Sequence, residues 1–168
     1  LAVMKEDKLF KKAGVSLYSE DEIYQILEST FKPDVIQLPM NILDTRLYRK
    51  GILERLNKKG VEIHVRSVFL QGLFYLPKSV LNNRFSDAVP SLEKLKSIAT
   101  KAGLTIAELS LLWLLHLDEI NKVIIGVDDV SQLMVHFKTL DKNVDPSIFE
   151  EALSIYYNNE KILNPSLW

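Results

Sequence analysis

Arg66 and Ser67 are the neighbouring residues whose types could do chemistry here. They lie within Gly60-Val61-Glu62-Ile63-His64-Val65-Arg66-Ser67-Val68-Phe69-Leu70-Gln71-Gly72-Leu73. A guanidinium inside an apolar, β-branched segment needs a partner or solvent, because an unpaired charge away from water is costly. Two partners meet that need equally well: a carboxylate within the domain, or an anionic ligand. Gln71 adds a further polar group just where the strand should stop. In α/β folds the carboxyl end of a strand is where ligand contacts collect. Arg66 and Ser67 therefore mark a candidate anion site.

The other chemistry-bearing residues are dispersed. His64, His116 and His136 have no metal-ligand spacing. Gly14, Gly72 and Gly126 are isolated, so no glycine-rich phosphate loop forms, and no serine sits in a nucleophile elbow. Most carboxylates stand at helix starts, where capping accounts for them. Trp113, in a very apolar stretch, belongs to a core.

The elements that position these residues alternate strand and helix. Short apolar segments at residues 12–17, 35–38, 61–69 and 122–125 read as strands, each followed by a helical pattern. Ser19-Glu20-Asp21-Glu22 and Thr105-Ile106-Ala107-Glu108 are capping boxes. The first opens a helix with Ile23, Ile26 and Leu27 on its buried face, stopping before Pro33. Asp44 is the expected N-cap of one helix over 46–59, with Leu47, Ile52, Leu53 and Leu56 as its stripe. Residues 71–89 form a long connection of the kind that is functional or mobile. Pro90 suits a first helical turn, and Leu92, Leu95, Ile98 and Ala99 form that helix's apolar face. Gly103 is the expected C-cap. Asp128 or Asp129 caps a helix running to about residue 137. Asp145-Pro146 opens a last helix carrying Ile148, Phe149, Ala152, Ile155 and Tyr156. Residues 1–9 read as the last turns of an earlier helix. The pattern is α/β, four parallel βα units with their functional ends on one face.

Bulk properties narrow the partners. A chain of 168 residues makes one domain burying roughly 70% of its unfolded surface. With 21 basic and 22 acidic side chains the net charge is −1, which argues against nucleic acid as the main ligand. There is no cysteine, so disulfide and thiolate chemistry are excluded, in keeping with a reducing compartment and a cytoplasmic location. No apolar run of membrane-spanning length occurs. The sequence opens on Leu1 rather than methionine, which points to a fragment of a longer reading frame.

In one register along almost its whole length, the chain resembles the second half of an aldo-keto reductase. Gly14-Val15-Ser16-Leu17 is similar to the family's Gly-Val-Ser-Asn at the end of strand five, and Val35-Ile36-Gln37 with Asn41 to strand six. Residues Arg66-Ser67-Val68-Phe69-Leu70-Gln71-Gly72-Leu73 resemble Tyr-Ser-Pro-Leu-Gly-Gln-Gly-Leu after strand seven. Residues 105–113 resemble Ser-Pro-Ala-Gln-Leu-Ala-Leu-Arg-Trp, and Ile125-Gly126 with Gln132-Leu133 resemble strand eight and its helix. The resemblance implies a TIM barrel, (β/α)8, of which residues 1–168 are the C-terminal half, strands five to eight, as a single partial domain. It also implies an NAD(P)-dependent oxidoreductase of carbonyl or alcohol substrates.

By position, the resemblance assigns Ser16 and Gln37 to the nicotinamide carboxamide. Ser67, Phe69 and Gln71 go to the pyrophosphate and loop region, and Gly126 and Gln132 to the adenosine end. Arg66 stands where the family stacks a tyrosine on nicotinamide, so it would instead pair with a phosphate or a substrate carboxylate. Leu17 replaces an amide donor. Gly126 and Gln132 replace basic residues, and Val135 and His136 replace Glu and Asn; with Asp128 and Asp129 alongside, an NADPH preference is not expected. The family's catalytic Asp, Tyr, Lys and His come from strands outside this stretch, and neither Tyr18 nor His64 matches their motifs. The chain alone is therefore expected to be inactive. Its open strand edges, near Val15 and Ile124, and uncovered inward side chains would be met by the missing N-terminal half or by self-association. The alternatives are a non-catalytic half-barrel that binds a nucleotide or another protein, and an unrelated doubly wound domain.

Overall fold

A computed structural model describes residues 10–168; the helix expected over residues 1–9 lies outside them. Four parallel strands form one sheet in the order β1-β2-β3-β4: β1 Gly14–Ser16, β2 Val35–Pro39, β3 Glu62–Arg66 and β4 Lys122–Val123. Strand order follows chain order without reversal. A doubly wound sheet reverses at a switch point, so that alternative is removed. β1 and β4 are the two edges, as expected, and both are shorter than their apolar segments because a strand extends only as far as its neighbour pairs it.

The helices are α1 Glu20–Glu28, α2 Arg46–Arg49, α3 Ile52–Lys58, α4 Lys78–Arg84, α5 Val89–Lys101, α6 Ile106–His116, α7 Val130–Leu140, α8 Pro146–Leu153 and α9 Glu160–Leu163. Both capping boxes form: Ser19 and Glu22 bracket the start of α1, Thr105 and Glu108 that of α6. Asp129, rather than Asp128, caps α7, and Asp145 caps α8. No single described helix is long and apolar enough to cross a membrane.

Four expectations need correction. The helix expected over 46–59 is two helices, because Gly51 adopts a left-handed φ of 67° between them; Leu47, Ile52, Leu53 and Leu56 are nevertheless all buried. Thr45, not Asp44, is the N-cap residue; the Asp44 carboxylate accepts from the Arg46 amide at 3.4 Å and pairs with the Arg46 guanidinium at 2.8 Å. The connection 71–89 is long, as expected, and contains a 3-10 turn at Leu73–Tyr75, α4 and another such turn at Ser86–Ala88, so only its lack of regular structure is corrected. α8 ends at Leu153, which leaves Tyr156 exposed rather than on its buried face.

One sheet face makes the core. Ile36, Leu38, Ile63 and Val65 are buried there with Ile23, Leu53 and Leu56 from the helices and with Trp113, whose ring meets Tyr48 edge-on. Strand alternation turns Gln37, Glu62, His64 and Arg66 to the opposite face, and the register places Ser16 beside Gln37, Gln37 beside His64, and His64 beside Lys122. That face is polar and ion-paired. The apolar patch expected on the inward side is therefore not there.

Two contacts set the spacing of the sheet and its loops. At Gly14 any Cβ would lie 2.6 Å from the Val35 carbonyl oxygen, so only glycine lets β1 approach β2 this closely. Buried Ser110, on α6, accepts from the Ile42 amide at 3.1 Å and donates to the Val68 carbonyl at 2.8 Å. It thereby ties together the loops that follow β2 and β3. Ser110→Ala should lower the free energy of unfolding by about 1–3 kcal/mol, since it strands a buried N–H and a buried carbonyl. Urea denaturation checks this, and an unchanged midpoint would contradict it.

Candidate functional site at the carboxyl end of the sheet

The site is built around the turn that leaves β3. Ser67, Leu70 and Gln71 have φ values of 61°, 46° and 51°, and Gly72 follows at 81°. Left-handed backbone at non-glycine residues persists only where the surroundings enforce it, and such positions cluster at ligand sites. Here the surroundings are named. Val68, Leu70 and Leu73 are buried and anchor the turn from below. Asn41, itself buried, donates from Nδ2 to the Ser67 carbonyl at 3.1 Å while its Oδ1 accepts from the amides of Leu43 and Asp44 at 3.1 and 2.9 Å. Ser110 holds the next carbonyl.

A cavity of about 930 Å³ opens beside this turn. Six of the eight sequence-predicted site residues line it: Arg66, Ser67, Phe69, Gln71, Gly126 and Gln132. Ser16 does not, but its Oγ lies 3.4 Å from Arg66 Nε, so it adjoins the same guanidinium. Gln37 sits between Ser16 and His64 in the strand register and does not line the cavity. At the far wall Phe69 stacks on His136 with ring centroids 4.7 Å apart and 12° between planes, and Tyr75 meets Phe69 edge-on. Burial holds the His136 imidazole below its ordinary pKa, which favours the neutral ring. Gln132 Oε1 accepts from the Asp128 amide at 3.0 Å. Its amide hydrogens are not engaged by that bond.

Arg66 resolves one question left open by the sequence. Among the described residues no carboxylate pairs with it, so the internal salt bridge is absent there. Its guanidinium donates to Ser16 and, at 3.3 Å, to Ser67 Oγ, lies 4.2 Å over the Tyr18 ring, and leaves a buried Nη2 without a partner among the described residues.

Further down the same sheet face, Glu62 bonds Lys12 and His64, the latter at 2.7 Å, with Lys122 3.6 Å away. The Lys12 hydrogen bond first, then His64 and the nearby ammonium charges, depress the Glu62 pKa to about 2. Among the described residues no group of three or more His, Asp or Glu side chains is placed to hold a metal ion.

Sequence reasoning named Asn41 only as part of a strand match, and it missed Ser110 and the Tyr18 platform under Arg66. For Ser110 the signal was a hydroxyl inside the apolar run from Leu109 to Leu115, since buried polar groups are almost always bonded. Tyr18 carried no such signal.

A sequential four-stranded parallel sheet with a ligand-sized cavity at its carboxyl end defines an α/β protein built of βα repeats. The sequence profile of the aldo/keto reductase family matches residues 2–156. The chain belongs to the aldo/keto reductase family. Among solved structures it is similar to the thermostable aldo-keto reductase Tm1743 in complex with the inhibitor epalrestat. That match has a TM-score of 0.66 at 24% identity and covers 91% of this chain and 51% of that one. It is also similar to the aldo-keto reductase AKR11C1 from Bacillus halodurans. The holo form gives a TM-score of 0.73 at 19% identity, over 95% of this chain and 56% of that one. The apo form gives 0.72 at 19%, over 95% and 57%. The chain thus spans about half the length of the solved structures it matches. No curated protein sequence gives a significant match.

The depressed Glu62 pKa fixes the sign of a pH effect. The charged form is favoured by folding, so its contribution is fully present above the ordinary carboxylate value of 4.5 and is lost as pH falls toward about 2. Glu62→Gln should flatten the acid side of the stability curve across that window. Thermal unfolding of both proteins between those limits measures it. An equally steep loss in the variant would show that other carboxylates dominate.

Proposed function

We propose that this chain is the C-terminal half, strands five to eight, of an eight-unit barrel, and that it contributes one side of an NAD(P)H site. The parent protein would be an oxidoreductase moving a hydride between the nicotinamide cofactor and a small-molecule carbonyl or alcohol. The observation that carries this reading is the convergence of Arg66, Ser67, Phe69, Gln71, Gly126 and Gln132 on one cavity of about 930 Å³ at the carboxyl end of the sheet. That volume lies within the range of about 300–1,000 Å³ usual for ligand pockets. Sequential strand order and the half-length match to family structures support the barrel position.

The residues present fit a dinucleotide in part. Ser16 and Gln37 offer a hydroxyl and an amide to orient a carboxamide, and the Ser67–Gly72 turn lies beside the cavity, where the Ser67 hydroxyl and Gln71 would meet a pyrophosphate. Phe69 is already stacked on His136, so it serves as a wall rather than a free platform. When bound, the nicotinamide supplies the hydride. The protein's own part on this side is to hold the ring, limit water and place charge. The proton donor would come from the other half of the barrel, so the chain alone should not reduce model aldehydes or ketones. Turnover at the rate of an intact enzyme, measured by loss of reduced cofactor absorbance, would overturn the assignment of roles.

Cofactor choice follows from charge. Gly126, Val127 and Gln132 bring no cation to the adenosine end, whereas Asp128 and Asp129 stand beside it. The parent should not favour NADPH over NADH by more than about a hundredfold, equivalent to roughly 2.7 kcal/mol. Fluorescence titration with both reduced cofactors measures the ratio. A larger preference would require a phosphate contact from elsewhere.

A second reading, an association module, is favoured by α7. Val130, Met134, Phe137 and Leu140 are exposed there along one helical stripe, with Leu133 beside them. Apolar stripes of this kind mark association surfaces. With the β1 and β4 edges unpaired among the described residues, the chain should self-associate at micromolar concentration unless its N-terminal half is supplied. Light scattering distinguishes this from a stable monomer, and a monomer would count against both the half-barrel and the association reading.

A further inference from the structure

The guanidinium of Arg66 has a share of its hydrogen-bonding capacity that nothing among the described residues uses. Nη2 is buried without a partner, although Nε and Nη1 each reach a serine hydroxyl. An unpaired buried donor is costly, more so when charged, so it is not retained by packing alone. The contacts it does make, at 3.4 and 3.3 Å, are at the weak end of the hydrogen-bond range. The Tyr18 ring, 4.2 Å away, holds the guanidinium in position without neutralising it.

The hydroxyls matter as much as the cation. In these contacts Ser16 Oγ and Ser67 Oγ accept from Arg66. A hydroxyl that accepts still has its own O–H to donate, and neither has another partner among the described residues. Nη2–H and two O–H groups therefore belong to one guanidinium and its two hydroxyl neighbours, with Arg66 and Ser67 in the cavity wall and Ser16 adjoining them. Ser67 is placed there by its left-handed backbone, which Asn41 holds from behind.

We propose that Arg66, Ser16 and Ser67 form an oxyanion receptor that takes a carboxylate or phosphate group. It rests on the reading above for its place at the carboxyl end of the sheet and shares Ser16 and Ser67 with it, whereas the Arg66 guanidinium is its own. Both groups present the oxygens that a guanidinium fork recognises. A carboxylate would come from a small organic acid, a phosphate from a phosphorylated small molecule or a nucleotide.

The test uses the full chain, ¹⁵N-labelled and titrated separately with inorganic phosphate and with malonate at constant ionic strength. The Arg66 Nε–H resonance and the Ser67 amide are followed. A saturable shift with either anion is the expected result, and the tighter of the two identifies the source as phosphoryl or carboxylate. Arg66→Met, read at the Ser67 amide, should weaken binding by about tenfold or more. Arg66→Lys keeps the charge without the fork and should fall between. Non-saturating shifts with both anions, or undiminished affinity in Arg66→Met, would overturn the proposal. The anion-free stability of Arg66→Met adds a second readout. It should unfold at the same or a higher urea concentration than the wild type, because no buried donor is left unpaired. A clear loss of stability would mean that the guanidinium is structural, and the receptor would be rejected.

Discussion

The hydrogen bonds from Asn41 and Ser110 to consecutive backbone carbonyls, those of Ser67 and Val68, hold the region on which the site depends. The chain leaving β3 must pass through left-handed backbone at Ser67, Leu70 and Gln71. Left to itself such a turn would relax, since side chains bearing a Cβ disfavour that conformation. Two buried polar side chains from other elements prevent this. Each is satisfied on both sides, so neither is an isolated polar group in the core. The consequence is that Ser67, Phe69 and Gln71 face one cavity instead of dispersing along a strand.

The sheet divides its chemistry between two faces. Ile36, Leu38, Ile63 and Val65 are sealed against helices, whereas Gln37, Glu62, His64 and Arg66 share the other face with Ser16 and Lys122. The second face is held by a carboxylate among Lys12, His64 and Lys122. Whatever packs against it must carry polar groups to match, because burying these charges unpaired would be costly. The exposed apolar stripe lies elsewhere, on α7.

Family membership fixes the general architecture and leaves the site's departures to be explained by physics. Structures similar to this chain share its fold at 19–24% identity, and at that distance the fold is what the similarity shows. Arg66 is the departure with the largest physical consequence. A guanidinium carries a fixed charge and a planar set of donors that an aromatic ring lacks. Its surroundings here, two hydroxyls and a phenol ring, support that charge without cancelling it.

Local chemistry is legible in the sequence itself. Capping at Ser19, Thr105 and Asp145 can be read there because an N-cap needs only residues three or four apart along the chain. The βα rhythm and the buried stripe of α5 follow from hydrophobic period, and register against a family pattern picks out six residues that line one cavity. The break at Gly51 is visible in sequence only as a glycine; whether the chain turns there depends on how α2 and α3 pack. The polar second face of the sheet is also beyond sequence, because an alternating strand does not say which of its faces meets helices. Nor can sequence decide between an internal partner and a ligand for Arg66. That choice rests on which carboxylates the fold brings near, and tertiary structure places Glu62 against Lys12 and His64 instead, leaving a guanidinium nitrogen with no partner among the described residues.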